Sequence, residues 1–266
     1  MNPNLRKSHP FHLFTDTLVM VERNLIRYRR VPQLLVFSSI QPVMFLLLFT
    51  YVFGGAIKTG AGNSYIQYLL PGILAQTAVF GAIQTGIGLA EDLTKGIIDR
   101  FKSLPMARSA VLAGRTLADM MRNVFVILLM FGVGHLIGFR LQGSWTDAIT
   151  AFALILLFGF AFSWISATIG LAVKSSETAQ VAGFIWVFPL VFASSIFVPI
   201  ESMPNWLQAF TKWNPVTITV NAVRALTLHN VSDADTARYL WEALGWIALI
   251  LIVFMPLAVR LYRRAV

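Results

Sequence analysis

The sequence predicts an all-α polytopic membrane protein, and three observations carry that prediction. Of its 266 residues, 57% are hydrophobic and only 12% are charged, with a mean hydropathy of +0.70. A soluble domain of that make-up would expose too much apolar surface. Six apolar runs of membrane-spanning length contain no Asp, Glu, Lys or Arg, as expected where a charge at mid-bilayer costs about 2.5 to 3.5 kcal/mol. The basic residues, which leave a net charge of +9, gather at the edges of those runs rather than along one soluble face. That charge therefore reports membrane topology and argues against nucleic acid as a partner.

In chain order, residues 11–30 come first. Phe14, Leu18, Val21, Leu25 and Tyr28 recur there at helical spacing, and Arg23, Arg27 and Arg30 form a second stripe. This predicts an amphipathic helix in the cytoplasmic interface, apolar side in lipid and basic side toward anionic headgroups or a partner; a cytoplasmic helix packed on a domain is the alternative. The six predicted spans are Leu34–Phe53, Ile66–Ala90, Val124–Phe139, Ala148–Val173, Ala179–Val198 and Leu244–Val259. The first is too long for a signal-peptide core and is read as retained. The third and sixth are short, and helical extensions through Arg122 and Asn123, or Glu242 and Arg260, can carry them into the interface.

Orientation follows from the cations. Sixteen lie on one side: Arg6, Lys7, Arg23, Arg27, Arg29 and Arg30, then Lys95, Arg100, Lys102, Arg108, Arg115 and Arg122, then Lys174, Arg260, Arg263 and Arg264. Five lie on the other: Lys58, Arg140, Lys212, Arg224 and Arg238. Both termini are expected in the cytoplasm. Tyr51, Tyr65, Tyr68, Trp145 and Trp241 fall near the outer ends of spans, where amphipathic rings favour the headgroup layer.

Between spans two and three, residues 91–123 are too charged for lipid and too few for a separate domain. Gly96 can break the helix leaving span two. Ile97, Ile98, Phe101 and Leu104 then share one helical face while Asp99, Arg100 and Lys102 point elsewhere, and Pro105 ends the segment. A new helix begins near Arg108, with Arg115, Asp119 and Arg122 on one polar face. The expectation is a short amphipathic helix over 96–104, lying crosswise at the cytoplasmic edge on two helical stalks; a solvated connecting loop is the alternative. Between spans five and six, residues 204–228 read as two short helices. One runs from Pro204 to Lys212, and the second has Asn214 as N-cap and Pro215 in its first turn. Neither can span, so a re-entrant hairpin or a plain outer loop remain the choices.

Several chemistries are excluded or disfavoured. There is no cysteine, hence no disulfide or thiolate site. No phosphate-cradling G-x-x-x-x-G-K-[ST] motif is present; Ser109 stands where its first glycine would precede Gly114. His9, His12, His135 and His229 are dispersed, so neither a metal nor a catalytic constellation is expected, and His135 reads as a packed interfacial residue. Gly134 and Gly138 form a small-xxx-small pair that permits close helix approach in span three.

Certain motifs together resemble the membrane subunits of type-2 ABC exporters, in particular the daunorubicin-resistance-like permeases. They are YLLPGILAQ in span two, Glu91 followed by GIIDRFKSLPMAR and VLAGR, and FVPIESMP followed by NPVTITVNAVRAL. The resemblance covers nearly the whole chain, with departures at Ile218 and Asn221. It implies that the crosswise element is a coupling helix docking on a separate ATP-binding subunit through Gly96, Ile97, Ile98, Asp99, Arg100, Phe101, Lys102, Leu104, Pro105 and Arg108. It implies that residues 11–30 form a connecting helix beside it, and that Glu91 is the coupling-loop acid, pairing with a basic residue. It further implies that this chain binds no cofactor of its own. ATP and Mg would sit on two copies of the partner subunit, and a second permease would complete a homodimer or paralogous heterodimer in a bacterial cytoplasmic membrane.

The pathway is expected between protomers. Candidate lining residues are Gln76, Phe80 and Gln84 in span two and Phe184, Phe188 and Phe192 in span five; the phenylalanines can equally face lipid or packing, whereas amides in hydrocarbon need partners. Amides and aromatic faces without charge suit an amphiphilic drug or lipid-like cargo. A polysaccharide or glycolipid exporter is the alternative within the family. An ion-coupled transporter or a membrane-embedded enzyme would need intramembrane acids or clustered titratable groups, which the spans lack.

Overall fold

The computed structural model describes residues 10–31, 33–57, 64–96, 108–173, 175–228 and 231–265. Every regular element among them is helical. Helix α1 is Pro10–Arg30, α2 is Gln33–Leu48, and α2 continues through a wider π-type turn at Phe49–Phe53. Then come α3 at Tyr65–Thr94, α4 at Arg108–Leu136, α5 at Trp145–Val173 and α6 at Ser176–Phe192. The short helices α7 (Asn205–Trp213) and α8 (Pro215–Leu228) precede the long α9, Asp233–Ala265.

Five of these helices are long and apolar enough to cross a bilayer, and α6, of 17 residues, is a shorter apolar helix. The expected fifth span, Ala179–Val198, therefore stops at Phe192. Pro189 lies in its last turn, and the backbone beyond Phe192 is bonded to side chains instead of continuing the helix. As expected, α4 and α9 extend well past their apolar runs.

Helix α3 is the hub. Of its apolar window 83% is buried, against 11% for α2 and 17% for α9, so α3 is enclosed by its neighbours and the other two present most of their surface outward. Its tightest neighbour is α5. Glycine makes that approach possible: a Cβ on Gly170 would lie 2.1 Å from the Gly86 carbonyl oxygen, and one on Gly86 would lie 2.3 Å from that of Ser166. Backbones this close gain dispersion contacts that no larger side chain would allow.

The two ends of α3 and α4 obey local rules. Gly96 takes φ 62° just beyond the end of α3, the left-handed stop expected of a glycine there. At the other end, Gly138 has φ 113°. The Phe139 N–H donates to the Gly134 carbonyl (2.9 Å) and the Gly138 N–H to that of His135 (3.4 Å), which is a Schellman closure. The Gly134/Gly138 pair is thus not one packing motif. Gly134 meets Leu70 of α3 within the same chain, where a Cβ would lie 2.5 Å from it, while Gly138 terminates the helix with open space around it. His135 is exposed in that last turn rather than packed.

Helix α1 lies along α4. The side it buries is Thr17, Met20, Val21 and Asn24, one residue off the predicted stripe, and Leu18 is exposed. Gly114 explains the docking, because a Cβ there would come within 2.4 Å of the Met20 Cβ. Near the same end, Tyr262 of α9 packs with Met20, Leu112 and Trp164. Residues 97–107, which hold most of the expected coupling helix, lie outside the described residues.

Candidate functional site

A polar cleft opens between α2, α3 and α4. Its inner part, of about 90 Å3, is lined by Ser38, Gln41, Pro42 and Phe45 of α2, Gln76, Thr77, Phe80, Gly81 and Gln84 of α3, and Arg122, Asn123 and Val126 of α4. A second cavity of about 300 Å3 shares Ser38, Gln41, Gln84 and Arg122 with it and continues to Asn24, Gly88, Glu91 and Arg115. The helical period creates this lining: Gln76, Phe80 and Gln84 recur every four residues, and Pro42, inside α2, faces them across the cleft. Arg122 donates to the Gly81 carbonyl at 2.7 Å and to the Asn123 amide oxygen at 3.3 Å. Gln76 is 5% exposed, and its amide oxygen accepts no hydrogen bond from a described residue.

At the end of the cleft toward Gly96 sits an ionic cluster that joins three helices. Arg115 Nε lies 3.3 Å from Asp119 Oδ2, a guanidinium nitrogen lies 3.9 Å from Asp92, and Arg23 of α1 lies 3.8 Å from the same Asp92. The Thr85 hydroxyl donates to Asp119 at 2.7 Å. The guanidinium occupies the space that any side chain at position 88 would need, since a Cβ on Gly88 would lie 1.8 Å from it. Asp92 thus reaches from α3 to both α1 and α4. Glu91 pairs with Lys95 on its own helix. Glu91 was expected to pair with a basic residue, and Lys95 is such a partner; the period of α3 turns its neighbour Asp92 toward α4.

At the opposite end, residues 193–197 run unwound through the protein interior, and side chains satisfy their backbone. Asn214 donates to the carbonyls of Leu190 (2.7 Å) and Ala193 (2.9 Å), and its oxygen accepts from the Val216 N–H (2.9 Å). That fulfils its expected N-cap role before Pro215. The Tyr68 hydroxyl donates to the Ser195 carbonyl and that of Tyr65 to the Phe197 carbonyl, both at 2.8 Å. The Thr217 hydroxyl accepts from the Ser195 N–H at 3.1 Å. Arg224 donates to the carbonyls of Tyr68 (2.9 Å), Ser195 (2.7 Å) and Ile196 (3.1 Å), and its guanidinium stacks 3.5 Å from the Tyr68 ring centre. Gly72 lets Ile196 close in, since a Cβ there would meet it at 3.0 Å. Buried irregular backbone is tolerated when every polar group is paired in this way.

Three expectations change here. Arg224, counted as an outer-side loop cation, is buried inside the bundle, as are Arg115 and Arg122. Tyr65 and Tyr68, expected in the headgroup layer, are structural donors, whereas Tyr51, Trp145 and Trp241 are well exposed. The two halves of the 204–228 segment differ. Pro204 precedes α7, which exposes Trp206, Phe210 and Trp213, while α8 is buried along nearly all its length.

The aromatic candidates come together. Phe80 lies 6.1 Å from Phe184 and 5.6 Å from Phe188, ring centre to ring centre. The series continues through Phe188–Phe192 (5.2 Å), Phe192–Phe197 (5.4 Å) and Phe197–Phe49 (4.5 Å). Phe188 and Phe192 remain partly exposed beside it. One flank of the polar cleft thus continues, through Phe80, into an aromatic arc. Of the expected coupling residues, Gly96 ends α3 and Arg108 begins α4; Ile97, Ile98, Asp99, Arg100, Phe101, Lys102, Leu104 and Pro105 lie outside the described residues. Among the described residues no cluster of His, Asp or Glu could hold a metal ion.

The pattern of the ABC-2 type transporter matches residues 15–228. The chain belongs to the ABC-2 type transporter family. It is similar to the daunorubicin resistance ABC transporter permease protein DrrB1 of Streptomyces coeruleorubidus, with 36% identity over 247 residues, 93% of this chain and 86% of that protein. It is also 26% identical, over 94% of its length and 89% of the relative's, to the probable doxorubicin resistance ABC transporter permease protein DrrC of Mycobacterium tuberculosis. A putative transport permease of Cyanophora paradoxa is 26% identical over 83% of the chain and 77% of the relative. As an ABC-2 protein the chain is a multi-pass permease subunit of an ABC exporter. The motifs behind the earlier resemblance have physical work in this fold: Tyr68 and Gly72, with Asn214, Thr217 and Arg224, all converge on the unwound segment.

Proposed function

We propose that this permease exports an amphiphilic drug or lipid-like substrate, driven by two copies of a separate ATP-binding subunit that carry ATP and Mg. A second permease, identical or paralogous, completes the pathway. The observation that carries this reading is the polar cleft with its amide groups at Gln41, Gln76, Gln84 and Asn123, joined through Phe80 to the aromatic arc. Amides give a polar group hydrogen-bonding partners and the aromatic faces accept an apolar body, while Arg122 is the fixed charge at the border of the inner cleft. The resistance permeases it resembles are named for amphiphilic drugs of this kind.

Both termini are cytoplasmic in this reading, which gives the bundle six spans with α6 as the fifth. Buried α8 and exposed α7 then form a re-entrant element on the outer side. ATP-driven closure acts on residues 96–104, and α3 and α4 convey it to the cleft through the Asp92–Arg115–Asp119 cluster.

The test is transport by the reconstituted permease with its ATPase partner. Alanine at Gln76, Gln84 and Phe188 together is expected to abolish cargo transport and cargo-stimulated hydrolysis; full activity would show that these residues do not line the path. Substituting Asp99, Arg100 and Phe101 is expected to leave membrane insertion intact and to remove cargo-stimulated hydrolysis. Normal stimulation would refute the coupling role.

A further inference from the structure

Among the described residues three cationic side chains lie buried in this bundle, and they are balanced differently. Arg115 has Asp92 and Asp119 beside it. Arg224 lacks a carboxylate partner but donates to three carbonyls and stacks on Tyr68. Arg122 is 7% exposed and bonds only to one carbonyl and one amide oxygen. No carboxylate of a described residue lies within 4.0 Å of it. A buried charge left uncompensated is strongly unfavourable, and this one borders both parts of the cleft.

The charged groups around it make the imbalance local. Glu91 at the lower end is engaged by Lys95, and Arg115 by its two aspartates. Around Arg122 the cleft offers neutral amide donors from Gln41 and Gln84. That is a setting for an anion, with a guanidinium for charge and amides for the remaining oxygens. Deeper in, the unbonded Gln76 oxygen can accept from a hydroxyl.

The same cleft is continuous with an apolar groove. Phe37, Ile40, Met44, Phe45, Leu48 and Phe49 line about 340 Å3 on the outward side of α2, and Gln41 belongs to all three cavities. From Phe37 to Phe49 the helical rise gives a length of roughly 18 Å. A site that is polar and cationic at one wall and apolar along an exposed helix matches an amphiphile in both halves.

We propose that the α2–α3–α4 cleft binds an anionic phospholipid of the membrane's inner leaflet, with its phosphate on Arg122 and an acyl chain in the α2 groove. This site lies within one protomer, and its occupancy does not require the chain to export any particular cargo. The bound lipid neutralises Arg122 and fills the gap between α2 and the rest of the bundle.

The experiment is native mass spectrometry of the permease–ATPase complex with dioleoyl-phosphatidylglycerol or dioleoyl-phosphatidylcholine, for wild type, Arg122→Gln and Arg122→Lys. Wild type is expected to retain phosphatidylglycerol about tenfold better than phosphatidylcholine, the scale of one charge-assisted contact. Arg122→Gln should lose that preference and Arg122→Lys keep most of it. Millimolar glycerol 3-phosphate, which has the phosphate without chains, should not displace the lipid. Met44→Trp keeps Arg122 and obstructs the groove, so it should lower retention even if Arg122→Gln does not fold. Equal retention of the two lipids by wild type, unchanged preference in Arg122→Gln, or displacement by glycerol 3-phosphate alone would overturn the proposal. So would a Met44→Cys disulfide between two copies in native membranes, because the groove would then be a subunit interface.

Discussion

Arg224 shows how far a single side chain can depart from its place in the sequence. Charge counting put it in an outer loop, yet it is the donor that holds the unwound segment after α6. Its hydrogen bonds reach Tyr68, Ser195 and Ile196 carbonyls at 2.7 to 3.1 Å. Charge-assisted bonds of this type contribute about 1.5 to 3 kcal/mol each, and removing the donor leaves buried oxygens unpaired. Arg224→Ala is therefore expected to destabilise the permease by about 3 kcal/mol or more, read as a lower thermal unfolding temperature in detergent. Arg224→Lys should recover little, because an ammonium cannot stack on Tyr68 and fork to three carbonyls at once. Unfolding of the alanine variant at the wild-type temperature would remove Arg224 from this role. The sequence made Asn214 and Pro215 legible, because capping is local chemistry. It could not reveal Tyr65 or Tyr68, whose carbonyl partners lie more than 100 positions away, or Arg224, which joins Tyr68 across 156 positions to Ser195 and Ile196 nearer by.

At the level of elements, hydropathy located the apolar runs and Gly96 marked the end of α3, whereas Gly138, read as a packing glycine, proved to be the stop of α4. What periodicity missed was the rotation of some helices, although the Gln76, Phe80 and Gln84 face of α3 does line the cleft. The predicted stripe on α1 was one residue off, a rotation about an axis that only packing sets, and the same kind of rotation of α3 brings Asp92, which sequence reasoning did not single out, to Arg115. Glycines offer the sharpest test of that packing. A Cβ at Gly170 would strike the Gly86 carbonyl oxygen at 2.1 Å, while at Gly132 and Gly245 nothing lies within 4 Å. Gly170→Ala should cost about 1 to 3 kcal/mol by overpacking, whereas Gly132→Ala and Gly245→Ala should be neutral or stabilising by up to about 1 kcal/mol, since alanine is the better helix former. Unfolding temperatures of the three variants would check the order; a Gly170→Ala protein as stable as the other two would mean α3 and α5 do not meet at this point.

The whole molecule poses the question of what covers its outward surface. Charge asymmetry supports cytoplasmic termini in the proposed topology, and the chain has no cysteine, so introduced thiols report cleanly. A thiol at Ser103 should react only after the cells are opened, and one at Ser144 should react in intact cells; the reverse pattern would invert the bundle and end the coupling account. The exposed side of α6 is more specific. Val181, Ile185, Phe188 and Phe192 are all exposed and recur at helical spacing, so they form one stripe beside the aromatic arc. Helix α9 also exposes a stripe, including Leu249, Ile252 and Val253, but it lies away from the candidate path. Closed two-fold symmetry requires one patch that meets its own copy, and a pathway shared between protomers needs that patch next to the lining residues. Ile185→Cys is accordingly expected to form a disulfide-linked dimer in native membranes, while Ile252→Cys faces lipid and stays monomeric under the same oxidation. Cross-linking at Ile252 without cross-linking at Ile185 would place the second copy against α9, leaving the aromatic arc toward lipid and requiring the path to be sought within a single protomer.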